Sequence, residues 1–137
     1  MSVVEPQRYK GRMEVFVKAQ RLASYTVVIL SNEKNFNPKI DAEIINRIKN
    51  CAYDIYAKSW AANRIRADTN SINRIMRYNM QVEAITQCDE MLAYIGIAKQ
   101  VFHIKSKRVN YWSGLVVEVR NLLQSWKESD VKRFGQP

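Results

Sequence analysis

Four glycines, three prolines, two cysteines and one histidine are all that this 137-residue chain holds of those types. So little Gly and Pro argues against a turn-rich all-β fold and against a disordered chain, since both are rich in residues that interrupt regular structure. Cys51 and Cys88 form no CxxC and have no clustered histidine beside them, which leaves neither a zinc motif nor a disulfide framework. Each sits in an apolar pattern and is expected to be reduced and buried. No run approaches the ~18 apolar residues of a membrane span, and Met1–Arg12 lacks the apolar stretch of a signal peptide. A cytosolic protein with no membrane partner is the expectation.

Catalytic patterns are missing too. Helical nucleases that set an Arg five to seven residues ahead of a His would need it where Gly96, Ile97 and Ala98 precede His103. A carboxylate-bridged metal site would need Glu-x-x-His pairs, and none occurs. There is no Gly-rich phosphate loop, nucleophile elbow or Cys/His nucleophile pattern. The chain is therefore expected to act without a cofactor, a metal or a reaction of its own.

What the chain does have is hydrophobic content of 47% and a net charge of +9, from 22 Lys and Arg against 13 Asp and Glu. The length suits one domain with a single core. Three-and-four spacing of apolar residues predicts four helices. The first runs from Met13 to Leu30 on Val15, Ala19, Leu22, Ala23, Thr26 and Leu30, after a polar segment 1–12. The second follows Pro38, which disfavours helix at Asn37 and fits a first turn, and carries Ile40, Ile44, Ile48, Cys51, Ala52, Ile55, Ser59 and Ala62 on one face. Tyr53, Tyr56 and Trp60 flank that face, either as its shoulder or as a surface for a partner.

The third helix, capped by one of Asp68, Thr69, Asn70 or Ser71, shows a seam of Ile75, Tyr78, Val82, Ile85, Cys88, Leu92, Ile95 and Phe102. Met76, Met80, Met91, Tyr94 and Ala98 line the opposite side. A helix apolar on two faces suggests a second subunit, so Tyr53, Trp60, Met76, Met80, Met91 and Tyr94 are candidate interface residues. The fourth helix, with Ser106 as N-cap, runs to about Ser129 on Trp112, Leu115, Val116, Val119, Leu122, Leu123 and Trp126. Residues 130–137 form a basic tail expected to fray. Short connections favour antiparallel neighbours, so the expected fold is all-α, an up-down-up-down four-helix bundle spanning 13–129.

That topology gathers the N-terminus, the break before helix three and the end of helix four at one pole. Ten bases meet five acids there, a balance of +5, against +3 at the opposite pole and +1 along the flanks. Arg64, Arg66, Arg74, Arg77, Lys127, Lys132 and Arg133 are the candidate nucleic-acid contacts, since guanidinium forks suit phosphate oxygens and Asn70, Asn73 and Gln81 lie among them. Lys18, Arg21 and Tyr25 make a weaker basic-aromatic strip. Asp54 is spaced to pair with Lys58.

The stretch from Phe36-Asn37-Pro38 through Arg47-Ile48-Lys49-Asn50-Cys51-Ala52-Tyr53-Asp54-Ile55 to Ala62-Asn63 carries a family likeness. So does the ending Leu122-Leu123-Gln124-Ser125-Trp126-Lys127-Glu128-Ser129-Asp130. Over about residues 15–133 the chain resembles the accessory variability determinant proteins of diversity-generating retroelements. That group is related to the four-helix-bundle proteins encoded in ribosomal RNA intervening sequences. The resemblance implies a basic bundle assembled as a ring-shaped homopentamer, binding a reverse transcriptase and its RNA or DNA during mutagenic copying. An RNA-associated bundle of the intervening-sequence type, without a transcriptase, is the alternative. Many members carry arginines midway along helix three, and Asp89–Ala98 contains none, so no family binding site is carried over.

Overall fold

The computed structural model describes residues 5–66, 68 and 70–137, with residues 5–11 described by their backbone only. Among these are four helices and no strand: α1 (Glu5–Leu30), α2 (Pro38–Arg64), α3 (Ser71–Phe102) and α4 (Ser106–Phe134). The chain is an all-α four-helix bundle, in which α1 and α3 each pack against both α2 and α4. Phe16 meets Trp126, Lys18 meets Glu118 and Thr26 meets Trp112, so numbers fall along α4 as they rise along α1. Between α2 and α3 the pairs Arg47–Tyr94 and Lys58–Glu83 run the same way. The contacts of α1 with α4, and of α2 with α3, are thus those of antiparallel pairs.

α1 starts at Glu5 rather than Met13, taking in most of the polar segment 1–12. Pro6 is suited to a helix's first turn, and polarity alone does not stop a helix. In α2 Asn37 caps the first turn, accepting from the Lys39 N–H at 2.9 Å. Asp41 then leaves helical geometry (φ −162°, ψ 93°) and its Oδ1 accepts from the Ile44 N–H at 3.1 Å, a second cap from which the long part of the helix springs. Ile40 lies ahead of this kink, out of register with the stripe, and is 60% exposed; its expected place in the core is wrong. The rest of the predicted α2 stripe, Ile44 to Ala62, is buried.

The core stripe of α3 also differs from expectation. The buried residues run Arg77, Gln81, Ala84, Cys88, Met91, Ile95, Ala98 and Phe102 in unbroken steps of four and three, with Ile85 beside them. Ile75 is 43% exposed, and Tyr78, Val82 and Leu92 are half-buried at the margin. The stripe of α4 repeats the pattern with Trp112, Val116, Val119, Leu123 and Trp126. Phe36, wholly buried in the turn after α1, stands edge-on to both Phe102 and Trp112 and closes one end of the core.

Of the four candidate N-caps before α3, Asn70 does the work, its side chain accepting from the Ile72 and Asn73 N–H groups. Thr69 lies outside the described residues. His103 ends α3 in the left-handed region (φ 55°, ψ 47°), where its N–H and that of Ile104 both reach the Lys99 carbonyl. The cap position of α4 is Lys105, without a side-chain bond, and Ser106 is already helical. Ile104 is buried immediately before it, which brings the helix start one residue forward.

Candidate nucleic-acid interface

The end of the bundle where α2 passes into α3 holds most of the candidate bases, and their surroundings divide them. Arg77 occupies a core position of α3 and is 4% exposed. Its Nε and NH2 donate to Asp130 Oδ2 and Oδ1 at 2.6 and 3.1 Å, NH1 donates to the Ile65 carbonyl at 3.1 Å, and the guanidinium lies 4.9 Å from the Trp126 ring centre. Gln81 Nε2 adds a bond to Asp130 Oδ2 at 2.8 Å. Arg77 is therefore a structural cation joining three helix ends, not the solvent-facing phosphate ligand expected of it. The same contacts explain why α4 continues to Phe134 rather than fraying at Asp130: position 130 falls four residues after Trp126, on the buried stripe.

Arg64 and Arg66 are exposed, the latter with Asp68 3.6 Å away. Arg74 is half-buried and its Nε donates to the Gln136 carbonyl at 3.4 Å, drawing the C-terminal segment against the start of α3. Lys127 lies over the Tyr78 ring at 5.1 Å, and the exposed Arg133 over Phe134 at 4.9 Å. Lys132 is exposed. The side chains of Arg8 and Lys10, which belong to the same predicted pole, lie outside the described residues. A cavity among Arg74, Arg77, Gln81 and Asp130 measures only about 20 Å³, room for about one water. This end thus offers a cationic surface of Arg64, Arg66, Lys132 and Arg133, and the cavity beside Arg77 is too small for an organic ligand.

Along the flanks, charges are answered across helix pairs. Lys18 meets Glu118 and Lys58 meets Glu83, each at 2.9 Å, and Arg120 meets Asp89 at 2.7 Å. Arg47 pairs within α2 with Glu43 at 2.8 Å. Lys58 does not take the in-helix partner Asp54 that its spacing suggests, because the neighbouring helix brings Glu83 into reach. The Glu83 hydrogen bond raises the Lys58 ammonium above its ordinary pKa. At the far end, Lys34, Lys39, Lys99, Lys105, Lys107 and Arg108 are all exposed.

The six interface candidates also divide. Tyr53, Trp60 and Met76 are exposed at 49%, 38% and 49%, although Trp60 stacks on Phe16 at 4.6 Å between ring centres. Met80 and Tyr94 are half-buried against the core, with the Tyr94 hydroxyl accepting from Arg47. Met91 is wholly buried within its own chain and cannot meet a partner; it belongs to the true core stripe. Sequence reading missed Asp130 and Gln81 as partners of Arg77. The available signal was the four-residue step that continues the α4 stripe to Asp130 and joins Arg77 to Gln81 on α3.

Among the described residues, no three His, Cys, Asp or Glu side chains are grouped to hold a metal ion, and no helix is long and apolar enough to cross a membrane. Cys51 and Cys88 are free and buried. Compared with protein-family models, curated proteins and solved structures, the chain matches none.

Proposed function

We propose that this bundle is a non-enzymatic nucleic-acid-binding protein, working beside a reverse transcriptase in the manner of the retroelement accessory proteins it resembles. The observation that carries the nucleic-acid reading is the segregation of charge. Four flank cations, Lys18, Arg47, Lys58 and Arg120, are matched by carboxylates at 2.7 to 2.9 Å, while both ends keep exposed bases in excess of acids. An excess of exposed cations attracts phosphates, and arginines at the α2–α3 end add forked hydrogen bonds. The reverse transcriptase and the pentameric ring come from the resemblance alone. Exposed Tyr53 and Met76 give such a ring apolar material to bury.

Fluorescence anisotropy with a labelled duplex tests the binding. Affinity should fall steeply with salt, by a slope near −0.9 for each phosphate neutralised. Replacing Arg64, Arg66 and Lys132 together by Gln should flatten that slope. No binding at low salt would defeat the reading. Light scattering should give several times the 16.0 kDa monomer mass, and a monomer at micromolar concentration would remove the ring. Co-purification with a reverse transcriptase encoded beside the gene tests the partner.

A further inference from the structure

At the end of the bundle opposite Arg77, the turn after α1 and the α3–α4 junction border an open cavity of about 550 Å³. Cavities of this size hold small organic ligands. The buried side chains of Phe102 and Ile104 are part of its lining. Tyr25 and Tyr111, edge to face with ring centres 5.2 Å apart, line it too. Lys34 comes from the turn, and Lys105, Lys107 and Arg108 from the start of α4; all four are exposed. No lining residue is acidic, and none of the four cations pairs with a described carboxylate.

A plain polyanion surface needs only the cations. Here they surround a hollow walled by two tyrosines, and a π-face beside clustered positive charge suits a planar ring that carries phosphate. Burial raises the Tyr25 phenol above its ordinary pKa, with Arg108 opposing and Tyr111 adding, so at neutral pH it stays an uncharged hydroxyl. The start of α4 has no side-chain cap, which leaves its positive end unanswered by the protein's own groups.

We propose that this cavity takes one unpaired, phosphorylated nucleotide, with its base against the Tyr25–Tyr111 pair and its phosphate against Lys34, Lys105, Lys107 and Arg108. The proposal rests on the nucleic-acid reading and narrows it. A duplex keeps its bases stacked and paired, so it can use the cations but not the aromatic wall.

The experiment compares the full-length protein with Tyr111→Leu, with the double variant K105Q/K107Q, and with R64Q/R66Q as a control of equal charge loss at the other end. Tyr111 is 57% exposed and the four bases are exposed, so all variants should fold, which thermal unfolding verifies. Probes are a short labelled single strand, its duplex, adenosine monophosphate and a polyglutamate peptide. Tyr111→Leu should weaken the single strand about tenfold and leave the duplex unchanged, as expected for loss of one stacked base. K105Q/K107Q should abolish binding of adenosine monophosphate, and R64Q/R66Q should spare it. Monophosphate binding as tight as the strand identifies a free nucleotide as the source; a far tighter strand identifies a nucleotide within a strand. If Tyr111→Leu binds strand and monophosphate like the unaltered protein, the cavity proposal falls while duplex binding stands. Failure of every nucleic acid overturns both readings. Polyglutamate binding that K105Q/K107Q abolishes, without nucleotide binding, overturns this one in favour of an acidic peptide.

Discussion

Arg77 on α3 and Asp130 on α4 form a two-point ion pair, Nε to Oδ2 at 2.6 Å and NH2 to Oδ1 at 3.1 Å, where the apolar stripes of both helices would otherwise continue. Removing one partner leaves the other charge and Gln81 desolvated and unmatched. Arg77→Ala should therefore cost about 3–5 kcal/mol in urea unfolding, whereas the double variant R77M/D130L should recover most of it. A loss below about 1 kcal/mol for Arg77→Ala would show that the pair does not hold this end together.

Inside the core, Trp112 Nε1 donates to Thr26 Oγ1 at 3.0 Å, and both residues are wholly buried. Thr26→Val keeps the shape and removes the acceptor. The stranded indole N–H should cost about 1–3 kcal/mol by denaturant titration. An unchanged midpoint would mean that the indole finds another acceptor.

Two adjacent positions in α2 should rank opposite to their apparent hydrophobic importance. Ile40→Ser changes an exposed side chain ahead of the kink and should alter stability by less than about 0.5 kcal/mol. Asp41→Ala removes the acceptor for the Ile44 N–H and should cost about 0.5–2 kcal/mol. Measuring both by urea unfolding decides whether the long helix starts at Asp41 or at Pro38.

These residues also show what can be read from the sequence and what cannot. Four helices, their breaks and the stripes of α2 and α4 follow from apolar spacing, because that spacing states directly which side leaves water. The α3 stripe hides itself. Its first turns are Arg77 and Gln81, satisfied by an acid 53 and 49 residues further on, and its filler includes the small Ala84 and Ala98. Larger apolar residues at the margins, Ile75 and Met76 among them, then imitate a core that lies elsewhere. Charge totals likewise point to a basic pole but cannot tell Arg77 from Arg64, since that depends on which carboxylate the fold delivers. The cavity between Tyr25 and Tyr111 joins residues 86 positions apart, with no local motif to announce it.

The two cysteines give the bundle an alkaline weakness with a definite sign. Burial pushes the Cys51 thiol up to about 11, with Glu90 and Asp54 adding and Arg47 opposing. Burial pushes Cys88 up to about 12, with Asp89 adding, Arg120 opposing and Cys51 adding. In the unfolded chain both return to about 9. Between that value and the folded ones, the unfolded state releases protons that the folded state keeps. Stability is therefore complete below pH 9 and falls as pH rises toward 11, by about 1 kcal/mol per thiol for the first unit above 9. Tyrosines and lysines titrate over the same range, so the comparison is between the unaltered protein and C51A/C88A. The double variant should begin less stable, from lost packing, yet its urea midpoint should decline less steeply with rising pH. In parallel, iodoacetamide at mildly alkaline pH should label neither thiol until the bundle is unfolded. Equal pH slopes for the two proteins, or rapid labelling of the folded chain, would mean that the thiols ionise freely within the fold.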